Sequence, residues 1–184
     1  EVLESRPIAD PLTLYQCCPT SEGGSAAVLC AKDSILRYAP ENTRYISVAA
    51  ASLTTGTYTG RGADNAALNP YRGEDAAQQA YEMAGIGPED VDLVQVHDAA
   101  TIGELQQLET LAIVPKGEAW VASQEGRTEI GGDIPTNTDG GLLAMGHPFG
   151  ATGIRQIHEI VTQLRDEAGP RRRRWQAYSH YRRG

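Results

Sequence analysis

Histidine and cysteine are the side chains best suited to move protons or act as nucleophiles near neutral pH. The chain holds four histidines and three cysteines. His147 lies in the stretch Asn137 to Gly153, N-T-D-G-G-L-L-A-M-G-H-P-F-G-A-T-G. Gly140, Gly141, Gly146, Gly150 and Gly153 crowd this segment. Glycine is costly to order, so such a density implies positive φ or the close approach of another group. His97 follows the run V-D-L-V-Q-V and precedes Asp98. Cys17, Cys18 and Cys30 form no metal-binding spacing and no even disulfide framework. Free thiols in a reducing, cytoplasmic compartment are the simplest account. Each motif also has a plain structural reading. G-H-P describes a tight loop around a structural histidine, His-Asp a hydrogen-bonded pair at a strand end, and adjacent cysteines a packed apolar segment.

The surrounding pattern says which elements carry these residues. Ile154, Ile157, Ile160, Val161 and Leu164 fall at helical spacing and predict an apolar face. His147 therefore sits in a turn that delivers a helix N-terminus, where free N–H groups favour negative charge. Val91 to Val96 predicts a strand whose C-terminal end carries His97 and Asp98, the edge where open α/β sheets bind ligands. Thr101-x-x-Glu104 predicts a capping box, with Ile102, Leu105, Leu108 and Leu111 on the apolar face behind it. Both histidines thus stand in loops that precede helices, and they are expected to converge on one pocket. Elsewhere, Tyr45 to Ala51 predicts a buried strand, and Ser52 to Arg72 a surface loop. Asp33 to Tyr38 predicts a short helix, and Glu74 to Ala84 a helix closed by Gly85. Ala26 to Leu29 is a small-residue run suited to tight packing.

The chain is long enough for one domain with a sizeable core, and 40% of its residues are hydrophobic. No apolar run reaches membrane-spanning length, and no signal peptide is visible. Glu1 to Asp10 reads as the interior of a longer protein, without an initiator methionine. Net charge is −8, unevenly placed: Pro170 to Gly184 carries six arginines and no acid. The acidic body argues against nucleic acid as a partner. The Arg171–Arg174 run is either a basic binding tail or a solvated terminus.

The long motif resembles the thiolase superfamily signature N-x-x-G-G…G-H-P-x-G-A-[ST]-G. Near the start, Q-C-C-P-T-S-E-G-G-S-A resembles the Q-C-C-P-T-S-D-G-A-A-A stretch of sterol-carrier-protein-x thiolases. Glu22 stands for the aspartate, and Gly24 and Ser25 stand for alanines. His97-Asp98-Ala99-Ala100 stands where that subfamily has H-D-C-F, and the missing aromatic should reshape the local pocket. The likeness continues through A-I-V-P-K-G-E-A to Q-L-R-D-E-A-G at Gly169, then stops.

This resemblance, from Leu12 to Gly169, implies an α/β thiolase-like half-domain: an incomplete mixed sheet with helices on both faces. It divides the chain into the end of an N-terminal half (1–42), a C-terminal domain (43–169) and a basic tail (170–184). It implies catalytic roles for His147 and His97, and binding of substrate or coenzyme A by Asp98, Gly140, Gly141, Gly146 and Gly150. No cofactor or metal is implied; a coenzyme A thioester is the substrate. The family's nucleophilic cysteine lies outside this chain, and no match gives Cys17, Cys18 or Cys30 that role. The implied activity is that of an acyltransferase acting on acyl-CoA by Claisen or retro-Claisen chemistry, in fatty-acid or sterol side-chain metabolism. Alternatives are a retro-aldol lyase on steroid side-chain thioesters, or a non-catalytic subunit binding acyl-CoA or a partner. Family members imply a homodimer and a small zinc-ribbon/OB-fold partner protein. The chain alone is expected to be inactive, its tail to form no central strand, and the fragment to be unstable or to self-associate.

Overall fold

The computed structural model describes residues 1–38, 44–55 and 71–172. Its regular elements are mostly helical. A small antiparallel pair, β1 (Pro7–Ala9) and β2 (Leu12–Thr13), opens the chain. The helices are α1 (Ile35–Tyr38), α2 (Tyr71–Ala84), α3 (Thr101–Thr110), α4 (Ala119–Gln124), α5 (Gly141–Met145) and α6 (Phe149–Leu164). Gly85, at φ 68°, ends α2 by donating its N–H to the Tyr81 carbonyl, as the sequence suggests. Tyr71 and Arg72 join α2 rather than the preceding loop.

The core lies beneath α3 and α4. Leu108 is fully buried on α3, with Leu105 and Leu111 packed beside it, while Ile102 at the start of the face stays exposed. Val94, Val96, Val114, Ala119, Ala122 and Ile134 complete the cluster. Small residues on α4 let that short helix lie close to α3, and the Ala119 N–H is held by the Glu109 carboxylate at 3.2 Å.

The expected mixed sheet is not formed among the described residues, where β1 and β2 make the one sheet. Val91 to Val96 keeps an extended, buried course but pairs through a single parallel bridge, Val94 with Thr136. The Val94 N–H donates to the Pro135 carbonyl at 3.0 Å, and the Asn137 N–H donates to the Val94 carbonyl at 2.9 Å. Tyr45 to Ala51 is not a buried strand. It is unpaired in any ladder, and Tyr45 and Val48 are exposed. Ala26 to Leu29 is exposed too, with Val28 98% accessible. Strand-forming residues supply propensity, but a strand needs a neighbour to accept its ladder.

One further expectation fails for a local reason, and the helix expected from Ile154 onward forms but buries a different face. The α3 N-cap is Ala100, so Thr101 is already helical and makes no capping box. The Glu104 carboxylate instead accepts from Asn137 Nδ2 at 3.4 Å. On α6 the apolar face is not the buried face. Ile157 and Leu164 are exposed, while Ala151, Thr152, Glu159 and Gln163 are buried. The inward side is held by polar bonds. Thr138 Oγ1 donates to Glu159 Oε1 at 2.7 Å, and Gln163 Nε2 donates to the same oxygen at 3.0 Å. Arg171 reaches back to pair with that carboxylate at 2.5 Å. Burial pushes the Glu159 carboxyl up, but hydrogen bonds from Arg171, Thr138 and Gln163 and the Arg171 charge outweigh it and leave it below its usual range.

Residues 39–43, 56–70 and Trp175 to Tyr181, with the expectations that fall on them, lie outside the described residues. Arg171 closes a turn at Gly169–Arg171, so the first arginine of the run belongs to the described fold. Replacing Arg171 with alanine is expected to strand a carboxylate buried at all but 4% of its side-chain surface. With the arginine itself 40% exposed, the cost should fall below that of a fully buried pair, at about 2 kcal/mol. Urea unfolding of R171A beside the parent chain measures it.

Candidate functional site

The loops after the extended segment and before α6 bring His97 and His147 together. Their ring centroids lie 4.6 Å apart at an interplanar angle of 84°, edge to face. Phe149 also packs on His147, with centroids 4.5 Å apart, and is itself 85% exposed. His147 thus contacts both other rings.

His147 Nδ1 lies 2.8 Å from Thr152 Oγ1, which is also 3.1 Å from the Pro148 carbonyl oxygen. When Nδ1 carries the proton and donates it to that hydroxyl, Nε2 is the acceptor. His97 is held below the usual histidine range by burial and by the neighbouring His147, with Asp98 opposing. Near neutral pH it is therefore an uncharged imidazole with one N–H to donate.

Asp98 ties the two loops together. It is 2% exposed, and Oδ1 accepts the Leu142 N–H at 2.8 Å while Oδ2 accepts the Leu143 N–H at 3.4 Å. The carboxylate caps the first turn of α5 from a distant part of the chain. The space beside it admits only glycine at 141: φ is 62°, and a Cβ there would overlap Asp98 Oδ2. Gly146 is constrained likewise, at φ 82° with a Cβ position that would overlap Ser21 Oγ. Gly140 supplies the positive φ that starts α5. At Gly150 and Gly153, apart from neighbouring residues and the helix's own backbone, no atom of the described residues lies within 4 Å of where a side chain would begin.

The segment Cys17 to Gly23 runs along the site. Cys17 bridges Ala100, the Cys18 N–H donates to the Ala99 carbonyl at 2.9 Å, and the His147 N–H donates to the Pro19 carbonyl at 3.4 Å. Burial, with the nearby Asp98 and Cys17, pushes the Cys18 thiol up, which disfavours the reactive thiolate. Cys30 is exposed on a different segment. Among the described residues no group of three His, Cys, Asp or Glu could hold a metal ion. A groove of about 720 Å³ between α2 and α3, lined by Ala77, Tyr81, Ile86 and Val114 among others, includes neither histidine.

Sequence reasoning finds both histidines but misses Thr152, whose signal is the five-residue offset from His147 within the motif. It also misses Asn137, which opens that motif, and Gln107, which carries no sequence signal.

This combination, a G-H-P turn and an H-D loop meeting at the head of two helices, is a thiolase-type arrangement. The chain belongs to the thiolase family: residues 60–179 match the model described as thiolase C-terminal domain-like. It is 43% identical over 173 residues to acetyl-CoA acetyltransferase of Methanothermobacter thermautotrophicus, covering 93% of this chain and 44% of that protein. It is 36% identical to rat (Rattus norvegicus) sterol carrier protein 2, covering 93% of this chain and 31% of that one. It is 40% identical to the benzoylsuccinyl-CoA thiolase subunit BbsB of Thauera aromatica, covering 91% and 42%. Its structure matches that of the Ltp2-ChsH2(DUF35) aldolase with a TM-score of 0.65 at 26% identity, covering 90% of this chain and 42% of that one. The chain thus spans less than half the length of these relatives. No helix among the described residues is long and apolar enough to cross a membrane.

Two expectations follow from the geometry. Replacing Thr152 with valine should remove the Nδ1 partner and mix the tautomers of His147, visible as a shift of both ring ¹⁵N resonances. The His97 midpoint should lie below that of a free histidine. Between the two values the unfolded chain binds the extra proton, so His97 weakens the fold as pH falls from about 6.5. Ring NMR titration and unfolding between pH 7.5 and 5 check both signs.

Proposed function

We propose that this chain carries the histidine half of an acyltransferase site acting on acyl-coenzyme A thioesters. The observation that supports it best is the edge contact of His97 with His147, with Thr152 Oγ1 within hydrogen-bond reach of His147 Nδ1. In this reading a cysteine thiol from a complementary N-terminal half gives its proton to His147 Nε2, and the thiolate attacks the thioester carbonyl carbon. Collapse of the tetrahedral adduct expels coenzyme A as a thiolate, which takes the proton back. The neutral His97 donates its N–H to the oxygen on which negative charge develops. The open space at Gly150 and Gly153 gives the thioester room to approach the turn. Asp98, with both oxygens on α5, sets the distance between the loops rather than touching substrate.

A second reading is retro-aldol cleavage of a β-hydroxyacyl thioester, which needs a base and an oxyanion site but no cysteine. The match to an aldolase and the alanines at 99 and 100 favour it. On either reading, residues 1–42 end the N-terminal half, 43–169 form the C-terminal domain, and 170–184 are a basic extension. The complete protein acts as a dimer and engages a small zinc-ribbon/OB-fold protein, as the resemblance and that relative's two-component name suggest.

The purified chain should show no thiolysis of acetoacetyl-CoA. Joined to the N-terminal part of the Methanothermobacter relative that precedes the matched region, it should gain activity, and H147A should lower that activity at least about 100-fold. Activity of the fusion unaffected by H147A would defeat the assignment. Turnover by the chain alone, abolished on mutating one of its own cysteines, would show the nucleophile to be here. Cleavage of a tertiary β-hydroxyacyl-CoA to a ketone, with no thiolysis, would favour the lyase.

A further inference from the structure

Among the described residues the backbone of Val96 and His97 has no strand beside it, yet all four of its polar groups are bonded, each by a side-chain amide. Asn137 Oδ1 accepts the Val96 N–H at 2.9 Å, and Gln156 Nε2 donates to the Val96 carbonyl at 2.7 Å. Gln107 takes both groups of His97. Its Oε1 accepts the His97 N–H at 2.8 Å, and its Nε2 donates to the His97 carbonyl at 2.6 Å and to the Gly103 carbonyl at 3.2 Å. A carboxamide that bonds in both directions with one residue's backbone does what an adjoining strand would do.

We propose that Gln107 is a positioning residue for His97, its carboxamide holding the residue's backbone so that the ring meets His147 edge to face. The role rests on His97 being a site histidine. It follows from three features of the arrangement. Gln107 sits on α3, whose Leu108 is fully buried, so the amide is anchored to the helix that packs on the core. Its second donor bond, to Gly103 on its own helix, fixes the amide's rotation. Gly103 itself sits against the His97 carbonyl, with a Cβ position 3.1 Å away, so the loop and α3 are in direct contact at this point. Neither Asn137 nor Gln156 bonds the backbone of His97, so among the described residues Gln107 is the amide that holds it. The charged and titratable groups around the ring are His147, across the contact, and Asp98, next in sequence.

Gln107→Met tests this, since it keeps length and helix preference but removes donor and acceptor. Gln106→Leu, one position away on the exposed side of α3, is the control. In the full chain, histidine-ring NMR of Q107M should show that the His97 and His147 rings have moved apart. The His97 midpoint should rise toward its ordinary value as the ring moves away from His147 and the groups that desolvate it. The Q106L spectrum should match the parent. In the fusion described above, Q107M should lower kcat by about tenfold to a hundredfold with little change in KM, the signature of misplacement rather than weakened binding. A folded Q107M with the ring geometry and midpoint unchanged would overturn the proposal. So would failure of both Q107M and Gln107→Leu to fold, because Gln107 would then be a residue of the fold and not of the site. An inactive fusion with these NMR changes present would instead count against the acyltransferase reading and leave the positioning role supported.

Discussion

The structure around the histidines depends on one buried carboxylate. Asp98 leaves water only because two N–H groups at the start of α5 replace its hydration. Much of the site's local geometry follows from satisfying that charge. Position 141 must lack a side chain, α5 must begin where it does, and the His97 loop must lie against the loop that leads to His147. The constraint works in both directions. The helix end would have bare donors without Asp98, and Asp98 would be an unpaired buried charge without the helix end. Such a mutual requirement fixes separation more firmly than apolar contact, which tolerates sliding.

A second polar arrangement governs the far end of α6. Thr138, Glu159, Gln163 and Arg171 enclose one carboxylate beneath a helix whose isoleucines partly face solvent. Asp139, next to Thr138, pairs with Arg155 on the same helix. The Asn137–Asp139 strip thus meets the extended segment through Asn137 and α6 through its next two residues. The histidines sit where these connections meet, so their contact is a product of the polar scaffold more than of the hydrophobic cluster under α3.

The sequence makes the local devices legible and the partnerships much less so. The turn chemistry of the G-H-P stretch, the two histidine loops and the helices α2, α3 and α6 follow from residue type and spacing. The meeting of His97 and His147 is legible because its signals are local: glycines at positive φ and histidines ahead of helices. Pairing is different. Tyr45 to Ala51 and Val91 to Val96 have the composition of strands, but composition does not say what lies alongside. The apolar face of α6 fails for the same reason. Periodicity marks a face, and only the neighbours decide whether that face turns inward. Thr101-x-x-Glu104 fits a capping box, yet Glu104 meets Asn137 from another loop, a contact no local pattern encodes.

The bonding of Val96 and His97 has a consequence for inheritance. A strand held by another strand's backbone keeps its hydrogen bonds whatever codons the neighbour acquires, since every residue but proline offers the same N–H and C=O. A stretch of backbone held by the side chains of Asn137, Gln107 and Gln156 has no such insurance. Each of its bonds is written in a single codon and can be erased by one nucleotide change. The shape of this backbone is therefore open to selection one bond at a time, and related chains can differ in how they hold the same histidine while the histidine itself stays put.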